Sequence, residues 1–152
     1  SLLDIRLLII GTGPQASAIR RQINQLGLAS QVYFKANLPR FALIKQLKSC
    51  HLLVHFSTVE GFGLVILEAL AAGLPYLAYD TPLNQEITHN GQGGILISLG
   101  DLDQAAVAAQ KLLADSLMCH RLRVSGNSLL RHYSWTESAR HTESVYTALL
   151  KK

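Results

Sequence analysis

Short apolar runs alternate with longer amphipathic segments along this chain, and the alternation restricts its fold more than any other feature. The runs lie at residues 5–10, 32–35, 51–56, 76–79 and 95–97. Each is long enough for one strand and too short for a helix with a packed face of its own. Strands that alternate with helices pair in parallel, and the helices cover both faces of the sheet. The sequence therefore predicts an α/β fold with a ligand crevice at the carboxyl ends of its strands.

Helices are predicted between and after these runs, where apolar residues recur at helical spacing. Their predicted positions are 14–26, from Pro39, 64–72, from Glu86 after a turn at 80–82, from Asp101 or Asp103 to 114, and 116–132. A last helix should begin at Ser134, because Ser134 and Glu137 have the spacing of a capping box. Trp135, with Tyr133, is expected to fill the core at the start of this helix.

Length and composition favour a soluble globular protein. The chain has 152 residues, of which 49% are hydrophobic and 16% charged, enough for one domain over residues 1–152. No apolar run reaches the ~18 residues that a membrane span requires, and no signal architecture opens the chain. We therefore expect a cytoplasmic protein. Cys50 and Cys119 stand in no metal-ligand spacing, so we interpret both as reduced thiols.

Charge is distributed unevenly along the chain, whose net charge is +4. Residues 5–59 contain no acidic side chain, although they carry many basic ones. These basic residues are Arg6, Arg20, Arg21, Lys35, Arg40, Lys45 and Lys48. Such a segment fits an anionic ligand or an anionic membrane surface, and it fits equally well a set of solvated helix faces. Nucleic acid is not an expected partner, because the basic residues form no aromatic-interleaved stacking surface.

The central motif is a glycine-rich turn before an apolar helix. Glu60-Gly61-Phe62-Gly63 precedes residues 64–72, which are apolar except for Glu68, and Gly73 is predicted to end the helix. An ionised carboxylate buried there would need a partner. The turn leaves backbone N–H groups free at the start of the helix, where they suit phosphate or sugar oxygens. Alternatively, the first carboxylate only caps the turn and the second emerges at the helix surface.

Two other patterns have weaker implications. Gly11 and Gly13 fit the permissive form of the dinucleotide fingerprint. No acidic residue follows about 20 positions later to hold a ribose, so a nicotinamide or flavin site is disfavoured. A packing turn, or backbone contact with another nucleotide, remains open. His51 and His55 are four residues apart on a predicted strand, with no third ligand, and we interpret them as structural.

Several stretches together resemble a known family. The spacing from Glu60 to Glu68 is similar to the E-x7-E signature of family 4 retaining glycosyltransferases of GT-B fold. The likeness extends over nearly the whole chain. Further similar stretches are Leu8-Ile9-Ile10-Gly11-Thr12-Gly13-Pro14 ("IxGxGP"), Val32-Tyr33-Phe34 ("VxF"), residues 91–96 ("GxxGxL") and Tyr133-Ser134-Trp135 ("FSW").

The resemblance implies the C-terminal, donor-binding half of a GT-B fold, a Rossmann-like parallel sheet with helices on both faces. By motif position, Glu60 would be the catalytic residue that accepts hydrogen bonds from donor-sugar hydroxyls. Glu68 would hold the ribose hydroxyls of the nucleotide. The remaining implied donor contacts are Gly61, Phe62, Gly63 and Leu64 at the sugar and diphosphate, Gly11 and Gly13 near the diphosphate, and Lys35, Asn37 and Leu38 near the base.

The implied reaction is retaining transfer of a sugar from a nucleotide diphosphate sugar to a polysaccharide, lipid or small glycan, as in cell-envelope polysaccharide synthesis. No cofactor or metal is expected, since electrostatic contacts would stabilise the leaving group. Two alternatives stay open. One is a nucleotide-sugar epimerase of GT-B fold, and the other is a non-catalytic scaffold domain.

The chain also departs from the family pattern. The family's Arg-x4-Lys pair precedes the stretch that resembles residues 7–14, and it has no counterpart here. The glycine usual near Lys35 is missing, and Asp80-Thr81-Pro82 replaces a glycine pair. We therefore expect a fragment that lacks the first strand and helix and the N-terminal acceptor domain, and that is inactive alone. Peripheral contact with the inner face of the membrane is a further expectation.

Overall fold

The computed structural model of the chain describes residues 5–151. The described strands are β1 (Leu7–Ile10), β2 (Val32–Lys35), β3 (Leu53–His55), β4 (Tyr76–Tyr79) and β5 (Gly94–Ile97). The described helices are α1 (Ala16–Gln25), α2 (Arg40–Lys48), α3 (Leu64–Ala71), α4 (Pro82–Ile87), α5 (Leu102–Ala114), α6 (Ser116–Leu130) and α7 (Trp135–Leu150). All strand pairs are parallel, which confirms the predicted α/β class.

The chain divides into two compact units, Ser1–Lys45 and Gln46–Lys152. In the first unit β1 and β2 form a two-stranded sheet, in register from Leu7 opposite Val32 to Ile10 opposite Lys35. That residues 1–152 act as one nucleotide-sugar-binding domain stays a prediction.

The second unit contains a three-stranded sheet with β4 in the centre. Every residue of β4 is buried. Tyr76 and Ala78 contact one apolar cluster, to which α3, α4 and α6 contribute, whereas Leu77 and Tyr79 contact a second cluster built largely by α5. Because successive strand residues point to opposite faces, the two clusters lie on opposite sides of the sheet. Helices on both faces, as predicted, are therefore present in this unit.

The apolar residues of helix α3 differ in how far they are buried. Ile66, Leu67, Ala69 and Leu70 are buried, and each fully buried Ile or Leu side chain stabilises the fold by about 1.5–3 kcal/mol. The last residue of the helix is Ala71, and Gly73, just after the C-cap residue Ala72, has a φ of 78° in the left-handed region. This is the predicted glycine stop.

Two of the predicted helix starts are confirmed in detail. The N–H of Gln104 donates to Oδ1 of Asp101 (2.8 Å), so Asp101 caps α5. The N–H of Glu137 donates to the Ser134 hydroxyl (3.1 Å) at the start of α7. The carboxylate of Glu137 binds Arg140 at 2.8 Å, and this contact lowers the pKa of Glu137. The capping box is therefore formed on the Ser134 side.

Two local predictions were wrong. Helix α4 begins at Pro82 and ends at Ile87, whereas the sequence suggested a start at Glu86. The reason is the strong start signal of Thr81, which accepts from the N–H of Asn84, followed by Pro82 in the first turn. Trp135 was expected in the core, but it is 92% exposed.

The inner position near the start of α7 belongs to Tyr133, which is partly buried against the first apolar cluster. Its hydroxyl donates to the carbonyl of Ile87 (2.9 Å). Cys50 and Cys119 are both free thiols, as expected. No helix within residues 5–151 is long and apolar enough to cross a membrane.

Candidate functional site

The turn between β3 and α3 ends at Gly63, which caps α3 in the left-handed conformation with a φ of 75°. No side chain of the described residues caps this helix. Within residues 5–151, the amides of Leu64 and Val65 donate no hydrogen bond to another group. Free first-turn amides and the positive end of the helix dipole together attract anions. The turn therefore presents donors suited to a phosphate group.

Residues of helix α4 pack against the glycine at the end of this turn. A Cβ atom on Gly63 would lie 2.5 Å from Cδ1 of Ile87 and 3.9 Å from Oδ1 of Asn84. Asn84 is buried, and its Nδ2 donates to the carbonyl of Tyr79 (2.8 Å) at the end of β4. The last residue of β4 therefore holds the side chain that lies under the glycine turn.

Glu68 lies on the same face of α3 as Leu64 and Val65. Both of these side chains are exposed, and Glu68 is half-buried. The carboxylate has no hydrogen bond or ion pair with the described part of the chain. Solvent therefore explains how the carboxylate is tolerated in an apolar run. It also leaves both oxygens available as acceptors.

Glu60 stands in the turn itself, with its side chain 28% exposed. One carboxylate oxygen, Oε1, lies 3.2 Å from Nε2 of His55, a side chain that is only 12% exposed. The contact has the length of an ion pair, but its direction falls short of hydrogen-bond geometry. Sequence reasoning treated His55 as structural and missed this contact. The available signal was its position, at the end of β3 and five residues before Glu60.

Phe62 and Tyr133 connect the turn to the end of α6. Their rings meet edge to face, with centroids 6.2 Å apart. Burial raises the pKa of Tyr133, and the negative charge of Glu86 raises it further. The neutral hydroxyl is the form that donates to the carbonyl of Ile87. The turn therefore has an aromatic neighbour that is itself held by a hydrogen bond.

The remaining predicted site residues belong to the first unit. The N–H of Gly11 donates to the carbonyl of Lys35 (3.0 Å), so the two residues meet at the carboxyl end of the β1–β2 sheet. Gly13, Lys35 and Asn37 are exposed, and Leu38 is half-buried. The second unit brings together Glu60, Gly61, Phe62, Gly63, Leu64 and Glu68. Whether either set binds a donor stays a prediction.

Metal-ligating side chains do not cluster in this site. Across residues 5–151, no three His, Cys, Asp or Glu side chains lie close enough together to hold an ion. The expectation that no metal or cofactor is used stays a prediction.

The model of the family "Glycosyl transferases group 1" matches residues 1–128. Phosphatidyl-myo-inositol mannosyltransferase of Mycobacterium leprae (strain TN) is 28% identical over 144 residues, which cover 94% of this chain and 38% of the relative. The chain thus spans well under half the length of that relative.

Solved structures of glycosyltransferases have a fold similar to that of this chain. Sucrose-phosphate synthase from Thermosynechococcus elongatus matches with a TM-score of 0.81 and 25% identity, covering 96% of this chain and 39% of that chain. Anabaena HepE in complex with UDP-glucose matches with a TM-score of 0.80 and 23% identity. The match covers 93% of this chain and 41% of the HepE chain. These matches confirm the predicted fold and the resemblance to GT-B glycosyltransferases.

Proposed function

Since this chain belongs to the glycosyl transferases group 1 family, we propose that it forms the donor-binding part of a retaining glycosyltransferase. The donor is a nucleotide diphosphate sugar, and the acceptor is a polysaccharide, lipid or small glycan. One observation carries the proposal. The free amides at the start of α3 lie between two carboxylates of the same turn and helix, Glu60 and Glu68.

Each group in this arrangement matches one part of such a donor. Leu64 and Glu68 are four residues apart, about 6 Å along the helix, a separation that a nucleotide bridges from its phosphates to its ribose. The amides of Leu64 and Val65 would donate to the diphosphate. The carboxylate of Glu68 would accept hydrogen bonds from the vicinal ribose hydroxyls.

Glu60 would accept hydrogen bonds from hydroxyls of the donor sugar. The backbone from Gly61 to Leu64 would lie along the sugar and diphosphate, with the negative charge that develops on the leaving group near the helix start. Donors fixed by the fold stabilise such charge without reorganising during the reaction. In this proposal the nucleotide diphosphate departs and the anomeric configuration of the sugar is retained.

The first unit, taken by itself, carries further proposed donor contacts. Gly11 and Gly13 would approach the diphosphate, and Lys35, Asn37 and Leu38 would lie near the base. The support is that Gly11 and Lys35 meet at the carboxyl end of parallel strands, the edge where α/β sheets bind ligands.

Contact with a membrane surface, at the cytoplasmic face, is part of this proposal. The basic side chains listed above within residues 5–59 are all exposed. Clusters of exposed cations bind anionic lipid, and salt weakens this binding. Sedimentation with vesicles of phosphatidylglycerol should carry the protein down at low salt, whereas vesicles of phosphatidylcholine should leave it in solution. Equal recovery with both vesicles would exclude the contact.

The donor site is tested by following backbone amide signals by NMR while UDP, GDP or ADP is added to the 152-residue chain. At least one nucleotide should shift the signals of Gly61, Gly63, Leu64 and Val65. Glu68→Ala should weaken that response. Glu143→Ala, which removes an exposed carboxylate from α7, is the matched control and should leave the response unchanged.

The same titration separates the proposal from its alternatives. If no nucleotide diphosphate shifts the α3 signals, the donor-binding proposal is wrong and a non-catalytic scaffold is favoured. If a polypeptide that contains this chain converts a nucleotide sugar without any acceptor, the activity is that of an epimerase instead.

A further inference from the structure

His55 occupies a defined position under the glycine turn. It is the last residue of β3, where it pairs in register with Ala78 of the central strand. Its Nε2 atom is buried from solvent and lies 3.2 Å from Oε1 of Glu60. A ring nitrogen that has lost its water needs a polar neighbour, and the Glu60 carboxylate is placed to be that neighbour.

The two partners differ in how firmly they are held. Strand pairing on β4 holds the backbone of His55, whereas Glu60 stands in a turn outside any strand or helix. Ordering a glutamate side chain costs conformational entropy. A neighbour that orients the carboxylate before the ligand arrives removes that cost from binding. Both the protonated ring and the neutral tautomer with hydrogen on Nε2 can donate.

We propose that His55 is a positioning residue for Glu60. Nε2, 3.2 Å from Oε1, keeps that carboxylate oxygen on the His55 side by electrostatic attraction, so that the other oxygen faces the donor sugar. This role rests on the proposed function, because it assumes that Glu60 binds the sugar. The imidazole itself does not touch the donor in this arrangement.

The first test needs no ligand. Carbon-13 labelling of glutamate side chains reports on each carboxyl group by NMR, and Glu60→Gln identifies the signal of Glu60. In His55→Leu this signal should move, because the imidazole nitrogen no longer lies beside the Glu60 carboxylate. In His55→Gln it should stay near its original position, because the amide can still donate to Oε1. An unchanged Glu60 signal in His55→Leu would overturn the proposal.

The second test measures affinity for UDP and for UDP-glucose, chosen because solved HepE holds UDP-glucose. His55→Leu should weaken UDP-glucose binding about 10-fold, because we expect Nε2 to donate to the charged carboxylate once the donor sugar is bound. It should change UDP binding less than about twofold, and His55→Gln should restore most of the loss. An equal loss for both ligands would show that His55 only supports the fold.

A double-variant comparison adds a third criterion. If His55 acts through Glu60, adding His55→Leu to Glu60→Gln should weaken UDP-glucose binding no further. Independent, additive losses would contradict a positioning role. If the unaltered chain binds neither UDP nor UDP-glucose, the donor proposal for these ligands is wrong, and the carboxyl signal of Glu60 still decides the role of His55. Thermal unfolding of each variant confirms that it folds.

Discussion

Gly63 and Ile87 are packed so closely that a Cβ atom on Gly63 would lie 2.5 Å from Cδ1 of Ile87. The contact joins the start of α3 to the end of α4, two elements separated by β4 in the chain. Gly63 also has a φ of 75°, which side chains with a Cβ adopt at a cost of about 1–2 kcal/mol. The free amides of the turn therefore depend on a residue without a side chain.

Gly63→Ala should destabilise the fold by about 1–3 kcal/mol, the cost of the left-handed conformation plus displacement of Ile87. Nucleotide binding should fall as well, because the amides of Leu64 and Val65 would be displaced. Urea unfolding and UDP titration measure the two effects. Gly61→Ala is the matched control for the stability measurement alone, since nothing lies within 4 Å of its Cβ position, and it should change stability by less than about 0.5 kcal/mol. Equal effects at both glycines would refute this account of the turn.

Substitutions of the two carboxylates should weaken binding of different parts of the donor. Glu68→Gln should weaken UDP and UDP-glucose alike, about 10-fold, because both ligands contain the ribose. Glu60→Gln should weaken UDP-glucose and leave UDP almost unchanged. Isothermal titration measures the four affinities, with Glu143→Gln as the control. The assignment of roles would be reversed if Glu60→Gln weakened UDP and Glu68→Gln did not.

Tyr133→Phe should lower stability by about 0.5–1.5 kcal/mol, since it removes the hydrogen bond to the carbonyl of Ile87. The ring contact with Phe62 would remain. Tyr146→Phe, at an exposed position of α7, is the control for losing a hydroxyl and should have no measurable effect. Urea unfolding at neutral pH tests this, and equal midpoints for Tyr133→Phe and the original chain would contradict it.

Tyr76 should make the fold sensitive to alkaline pH. Burial raises the pKa of its hydroxyl to about 12. Thr88 lies near enough to lower this pKa slightly, but the Thr88 hydroxyl donates to the carbonyl of Asn84. Oη of Tyr76 has no partner in hydrogen-bond geometry among residues 5–151, so we take burial as the controlling influence.

The folded state therefore favours the neutral Tyr76 hydroxyl. The stability of the fold is therefore full below the unfolded pKa of about 10. Ionisation of Tyr76 lowers it as the pH rises from about 10 through about 12, by up to about 3 kcal/mol. Tyr76→Phe should match or exceed the original stability at pH 8 and should lose less of it between pH 10 and 12. Urea unfolding across this range measures the difference. Parallel losses in both proteins would show that Tyr76 does not control the alkaline limit.

Much of the fold could be predicted because its signals are local. The bounds of β2 and β4 agree with their apolar runs, and the side chains of Asp101 and Ser134 cap the helices that their spacing predicted. Helix α4 is an exception, because Thr81 and Pro82 form a stronger start signal than Glu86, where the start was predicted. The Thr81-Pro82 signal is itself local, because the N-cap residue and the proline are adjacent in the chain.

The sequence predicts which residues form the candidate turn and helix, but not which other side chains contact them. The motif from Glu60 to Glu68 predicts the turn and the apolar helix, and the structure contains both. That the two carboxylates bind a donor stays a prediction. The sequence could not decide whether Glu68 was buried, because that depends on which face of α3 packs against the sheet. It also left His55 as a structural residue, because its contact with Glu60 depends on how the turn folds back over the end of β3.

The sequence by itself determined the order of strands and helices, the glycine stop of α3 and the position of the acidic turn, because these follow from residues within a few positions of each other. Only the tertiary structure decided that Trp135 faces solvent, that Tyr133 reaches Ile87 and that His55 meets Glu60. Each of these depends on which face of an element meets its neighbour. Local patterns limit that choice, and packing of the whole core settles it.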